Sequence, residues 1–303
     1  DALAKSGLLF NRAHCQQAVC SPSRTSLMTG RRPDTTQIYD LQTHFRETIP
    51  DVVTLSQHFK NNGYFAQSFG KIYHSGLDDP KSWSVESVGS GGGNGQSTGV
   101  AGKKAAKAAQ SKKGLPWESR DVADNELPDG QNTDAALKAM QQLKDKTFFL
   151  AVGFYKPHLP FIAPKKYFDL YDLENTPLAK NPVPPKDVAP MALTEWGELR
   201  NYKGMPKTGP MPDDKARELI RAYHAATSYA DAQIGRVLAE LDRLGLREKT
   251  IVILWGDHGW QLGEHGLWCK HTNFELATRS LLIISVPGQK TRGVKTDALV
   301  EFV

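Results

Sequence analysis

Three apolar runs constrain this chain more than any other feature. Residues 147–155 (Thr-Phe-Phe-Leu-Ala-Val-Gly-Phe-Tyr) show no alternation of apolar and polar positions, and residues 250–255 and 280–286 are similarly apolar. A strand without alternation is covered on both faces, so the first two runs read as buried strands. Pro287-Gly288 stops the third. Helical patterns separate them. Residues 131–143 read as one helix. Residues 213–244 read as a long one, with Leu219, Ile220, Tyr223, Ala226, Tyr229, Ala230, Ile234, Val237, Leu238 and Leu241 on one face and Gly245 as its cap. Those aromatics read as core. Strands alternating with helices predict an α/β fold with a mostly parallel central sheet flanked by helices.

The rest of the chain fits that frame. Residues 1–7 read as the end of a helix with a glycine stop. Residues 52–62 have helical spacing at Val52, Leu55 and Phe59, ended by Asn61-Asn62-Gly63. Residues 64–73 read as a strand or strand pair, and 177–212 as a long Pro-rich surface connection. Residues 84–114 hold Gly89-Ser90-Gly91-Gly92-Gly93-Asn94-Gly95 followed by Ala/Lys repeats, and read as a flexible low-complexity insertion. Much of the net charge of +5 comes from the lysines of 103–113, so nucleic acid is not an expected partner. The three cysteines cannot build a disulfide framework, although a Cys15–Cys20 bridge is conceivable. No apolar run reaches the length of a membrane span.

The chemistry-bearing residues follow the strand ends. Ala18-Val19-Cys20-Ser21-Pro22-Ser23-Arg24-Thr25-Ser26-Leu27-Met28-Thr29-Gly30 places a thiol just before a predicted helix at 22–29. Pro22 suits a first helical turn and Gly30 the position past a helix end. Free amides at that helix start favour an anion, and Arg24 can grip an oxyanion with two hydrogen bonds. A buried cysteine beside a helix cap is the bland alternative. Lys71 and His74 follow residues 64–70, and His158 stands between two prolines in Lys156-Pro157-His158-Leu159-Pro160. Asp257 and His258 lie between glycines, where a ligand can approach the backbone. Residues 263–273 are too polar and glycine-rich for a core element and carry Lys270. The bland readings are a surface lysine, a loop histidine and prolines that only shape a turn. Taken together, cations, a carboxylate, histidines and one thiol suit a compact oxyanion. A carboxylate such as Asp257 could also hold a metal. His258, His265, Cys269 and His271 offer zinc-type donors as another reading.

These stretches resemble a known family. Ala18 to Gly30 is similar, without a gap, to the signature of the type I sulfatases of the alkaline-phosphatase superfamily. Gly63-Tyr64 through Gly70-Lys71-Ile72-Tyr73-His74 resembles the second sulfatase signature more loosely, with Ala66 and Phe69 in slots usually filled otherwise. Gly30-Arg31-Arg32-Pro33-Asp34-Thr35-Thr36, Ala151 to His158, Asp257-His258-Gly259-Trp260 and Leu262-Gly263-Glu264-His265-Gly266 are most similar to the iduronate-2-sulfatase branch.

The resemblance implies a sulfuric ester hydrolase acting on a sulfated sugar. It implies that Cys20 is oxidised to formylglycine by a formylglycine-generating enzyme and that the hydrated aldehyde attacks sulfur. It implies that Arg24 and His74 hold and deprotonate the hydrate. Lys71, His158 and Lys270 would bind the sulfate, with His158 or Lys270 protonating the leaving group. Asp257, His258 and the modified Cys20 would ligate Ca²⁺, although calcium prefers oxygen to imidazole. The family's metal site also uses two aspartates on a strand preceding Asp1. The expectation is therefore a partial catalytic domain over residues 1–303, lacking the first strand and a C-terminal subdomain and weakly active by itself. Export to a periplasmic, extracellular or lysosome-like compartment is implied as well. A phosphate or phosphonate ester hydrolase of the superfamily, or a non-catalytic module binding sulfated glycans, remains the alternative.

Overall fold

The computed structural model describes residues 2–89, 114–194 and 197–303. Most of the insertion expected at 84–114 lies outside the described residues. In chain order the first strands are β1 (Leu8–His14), β2 (Phe65–Gly70), β3 (Trp117–Arg120), β4 (Phe148–Gly153) and β5 (Phe161–Pro164). They are followed by β6 (Val252–Trp255), β7 (Gln261–Leu262), β8 (Trp268–Cys269), β9 (Arg279–Ser285) and β10 (Val294–Glu301).

Four strands form one sheet in the order β10-β1-β9-β6. β10 runs parallel to β1, whereas β9 is antiparallel to both β1 and β6. β2 pairs in parallel with β4 from Phe65–Phe148 to Gly70–Gly153, and β3 pairs in parallel with β5. The architecture is the expected α/β one, with a mixed sheet. Residues 256–278 join β6 to β9 through β7, β8 and a single helical turn at Glu275–Thr278, and adjacent antiparallel strands need no longer crossover helix.

The main helices are α1 (Ala2–Ser6), α2 (Cys20–Thr29), α3 (Leu55–Asn61), α4 (Pro128–Leu143), α5 (Asp213–Arg243) and α6 (Glu275–Thr278). α2 ends where expected: Gly30 takes φ 63° and its N–H donates to Ser26 O. It begins two residues earlier than Pro22 predicts, because Ser23 N already donates to the carbonyl of extended Val19. Cys20 is therefore the first helical residue. Thr54 caps α3 by accepting from Gln57 N, whose side chain reaches back to Thr54 N. α5 starts with Asp213 and Asp214 at the positive end of its dipole.

The apolar face of α5 makes the largest core, where Leu219, Ala226 and Tyr229 pack with Leu127 and Phe161. Met28 of α2 sits in a second core with Ile38, Phe45, Ala66 and Ile72. The helix that carries Cys20 is thus fixed from below by the residues that also seat Lys71. One burial expectation fails. Ile251 and Ile253 are 59% and 54% exposed, so the run at 250–255 is covered on one face alone among the described residues. The three cysteines are free, which corrects the conceivable Cys15–Cys20 bridge.

Candidate active site

Helix α2 is polar yet buried: Ser21, Ser23, Arg24, Thr25 and Ser26 are all inside. Buried polar groups need partners, and several of these reach other elements. Ser23 Oγ donates to the carbonyl of Asp257. Arg24 Nε donates to Asp257 Oδ2 at 2.8 Å, and its NH1 donates to the carbonyls of Lys71 and of Ile72. These bonds bring the starts of α2, of the turn after β2 and of the loop after β6 together. Two of the three Arg24 nitrogens, Nε and NH1, are thus engaged by protein acceptors.

Cys20 lies at the meeting point, 2% exposed. Its Sγ is 3.2 Å from His258 Nε2 and 3.7 Å from Lys71 Nζ. Burial pushes the thiol up, but the charges of Lys71, Lys270 and His258 outweigh it and hold Cys20 well below the usual thiol range. Burial likewise raises Asp257, and Arg24 and His258 pull it back below its ordinary value. His258 is pushed down by burial and raised overall by Asp257 and Cys20. Its Nδ1 donates to the carbonyl of Gly259 at 2.8 Å, so Nε2 is the nitrogen that faces Cys20.

On the other side, Lys270 Nζ donates to His158 Nε2 at 3.0 Å. Both X–Pro bonds beside His158 are cis, and its Nδ1 donates to the carbonyl of Leu159 at 2.8 Å. Lys270 is flanked by Cys269 and His271 with φ of 72° and 74°, a left-handed backbone that is uncommon away from glycine. Arg24, Lys71, His158, Asp257 and His258 line one cavity of about 80 Å³. His74 follows Lys71 on the same turn, outside that lining. Its Nδ1 is buried without a hydrogen-bond partner.

Several residues of this site carry no local signal in the sequence. Glu198 accepts from Lys270 Nζ at 2.9 Å and lies 3.2 Å from His158 Nε2, although it belongs to the Pro-rich connection. Burial raises its carboxyl, but His158, His271 and Lys270 hold it far below the carboxylate range. Tyr223, expected as core, lines the cavity and stacks on Trp260, with ring centroids 6.1 Å apart. Trp260 also carries Lys270 Nζ over its ring at 4.7 Å. Asp129 at the start of α4 accepts from the backbone N–H groups of Tyr155 and Lys156 at 2.8 and 3.0 Å, which fixes the start of the His158 turn.

Cys20, Asp257 and His258 each offer one donor atom within 4.8 Å of the others, so they can hold a metal ion. The set contains one oxygen donor. Calcium takes about six to eight oxygens, so these three residues do not make a calcium site by themselves. Among the described residues His258, His265, Cys269 and His271 do not gather as a zinc-type donor group. His265 instead stacks on Phe274, with ring centroids 4.8 Å apart, and approaches Asn181. A formylglycine at position 20 does fit. Its oxygens would replace a sulfur that already faces an ammonium and an imidazole, both able to bond oxygen.

Comparison with known proteins agrees with this geometry. The profile of the Sulfatase family matches residues 1–302. Iduronate 2-sulfatase of Mus musculus is 40% identical over 307 residues, covering 95% of this chain and 55% of its own. This chain thus spans about half the length of the curated relatives it matches. Phosphonate monoester hydrolase from Silicibacter pomeroyi superposes with a TM-score of 0.75 at 22% identity, over 99% of this chain and 65% of that one. A protein solved with its substrate D-glucosamine-2-N,6-O-disulfate superposes at 0.74 with 20% identity, over 100% of this chain and 68% of its own. At such identities the two superpositions speak to fold alone. The family match over nearly every residue, carried by a chain whose strand ends gather around Cys20, shows that this protein belongs to the sulfatase family.

Proposed function

We propose that this chain is the catalytic part of a sulfuric ester hydrolase that removes sulfate from a sulfated sugar, in the manner of an iduronate-2-sulfatase. The observation that carries the reading is Cys20 at the buried start of α2, facing Lys71 and His258 beside a cation-lined cavity. Formylglycine made from Cys20, by a formylglycine-generating enzyme, supplies a hydrated aldehyde whose oxygen can attack sulfur. Lys71, His158 and Lys270 bind the sulfate oxygens and offset the charge that develops on them. His158 or Lys270 supplies the proton to the leaving sugar oxygen; Nδ1 of His158 is committed to Leu159, so its Nε2, which accepts from Lys270 Nζ, is the nitrogen that can relay it. Arg24 holds Asp257 and the Lys71 turn in place, and His74 is assigned to the nucleophile side. Calcium is the proposed ion, with Asp257 as the oxygen donor this chain offers it. The proposal includes export, where a polysaccharide substrate would be met. No helix among the described residues is long and apolar enough to cross a membrane.

Two measurements on the full-length protein, co-expressed with its maturing enzyme, test this reading. The mass of the tryptic peptide holding residue 20 should show formylglycine in place of cysteine. Turnover of an aryl sulfate should exceed that of a phosphate diester and vanish in Cys20→Ala. Preference for the diester would support the alternative of a phosphate or phosphonate ester hydrolase. An unmodified thiol with sulfated-glycan binding and no turnover would support a binding module.

A further inference from the structure

Glu198 stands out because it offers the wrong charge to an anion site. Its Oε2 accepts from Lys270 Nζ at 2.9 Å and lies 3.5 Å from His271 Nε2, while its Oε1 lies 3.2 Å from His158 Nε2. The side chain is 11% exposed, so these contacts are little screened by solvent. A carboxylate and a sulfate group are both oxyanions that accept from the same donors. We propose that Glu198 is a positioning residue: an internal counter-ion that holds Lys270 and His158 side by side and limits how tightly the site retains sulfate. This rests on the reading that Lys270 and His158 bind the sulfate oxygens.

The chemistry gives this counter-ion a direction. A sulfate monoester carries one negative charge on its sulfate group, and inorganic sulfate carries two. Repulsion by a fixed carboxylate scales with the charge facing it. Glu198 therefore disfavours the product more than the ester, and speeds departure of sulfate from a site formed by Lys71, His158 and Lys270. The same carboxylate keeps buried Lys270 compensated, which a lone ammonium there would otherwise lack.

The test compares the full-length matured enzyme with Glu198→Gln and Glu198→Asp. Inhibition by inorganic sulfate and KM for 4-nitrophenyl sulfate are read on the same preparations. In Glu198→Gln the sulfate inhibition constant should fall about tenfold and KM only about threefold, following the two-to-one charge ratio. Glu198→Asp withdraws the charge by one methylene and should tighten sulfate about threefold, an intermediate shift that guards against misfolding of the glutamine variant. A purely structural role would weaken sulfate and substrate together or lower kcat alone. Unchanged or weaker sulfate binding in both variants would overturn the proposal. Calorimetric binding of sulfate, compared between the parent and Glu198→Gln, reads the counter-ion even if the parent hydrolyses no sulfate ester. Failure of the hydrolase reading is thereby kept apart from failure of this one.

Discussion

Arg24 Nε and Asp257 Oδ2 meet at 2.8 Å across 233 positions of sequence. That bond, with the NH1 bonds to Lys71 and Ile72, ties the helix starting at Cys20 to two other chain segments. Arg24→Ala leaves Asp257 buried without its guanidinium and should cost about 3–5 kcal/mol of unfolding free energy. Arg24→Lys keeps the charge but loses the fork, and should cost about 2 kcal/mol. Urea unfolding checks both. A loss under about 1 kcal/mol for Arg24→Ala would show that the tie is not structural.

Gly153 ends β4 against the turn that carries Lys71. A Cβ there would meet the Lys71 carbonyl oxygen at 2.1 Å and its carbon at 2.4 Å. Both contacts are backbone, so relief requires moving the turn. Gly153→Ala should cost about 1–3 kcal/mol and depress sulfate-ester turnover, because Lys71 is displaced. Gly235 within α5 has nothing within 4 Å of its would-be Cβ. Gly235→Ala should stabilise by about 0.5–1 kcal/mol and leave turnover unchanged. Equal effects of the two changes would contradict the close-approach argument.

Asp129 accepts two backbone N–H groups with its two oxygens. An asparagine can accept one of them, and its amide would face the other donor. Asp129→Asn should therefore cost about 1–3 kcal/mol and lower kcat through a misplaced His158 turn. Unfolding and steady-state kinetics on the same preparation check this, and unchanged kcat would separate Asp129 from the positioning of His158.

Asp79 provides a pH test away from the metal-binding group. Arg46 donates to both its oxygens, at 3.1 and 2.7 Å, and Ser82 Oγ donates at 2.6 Å. Burial raises the carboxyl, but the Arg46 and Ser82 hydrogen bonds outweigh it and hold Asp79 below the usual carboxylate range. A depressed folded-state value adds stability above the unfolded value of about 3.9, and that stability is lost as pH falls through the folded value. Asp79→Asn should cost about 2 kcal/mol at pH 7. The gap between parent and variant should close on acidification below about pH 4. A constant gap from pH 7 to 3 would remove Asp79 from the acid response.

Much of the site is legible in the chain because its groups sit directly after apolar runs. Lys71, His158 and Asp257-His258 each follow β2, β4 or β6, and the C-terminal ends of strands are where open α/β folds present such groups. The α2 stretch is legible through Pro22 and Gly30, whose backbone limits are local. Three features were not. Tyr223 fits the apolar stripe of α5, and nothing in that stripe separates a core ring from a ring that lines the cavity. Glu198 lies in a segment without periodicity. The one-sided cover of 250–255 depends on which layers pack there, and composition does not report that.

By itself, then, the sequence determined the local elements, the α/β class and the set of groups offered at the strand ends. Those follow from short-range periodicity, capping and turn chemistry within a few residues. The tertiary structure alone decided what Arg24 binds, which cations surround Cys20, and that Glu198 stands between Lys270 and His158. Such pairings join positions tens to hundreds of residues apart. They arise when separate cores bring helices and strand ends together, and their cost or gain depends on the burial that packing imposes.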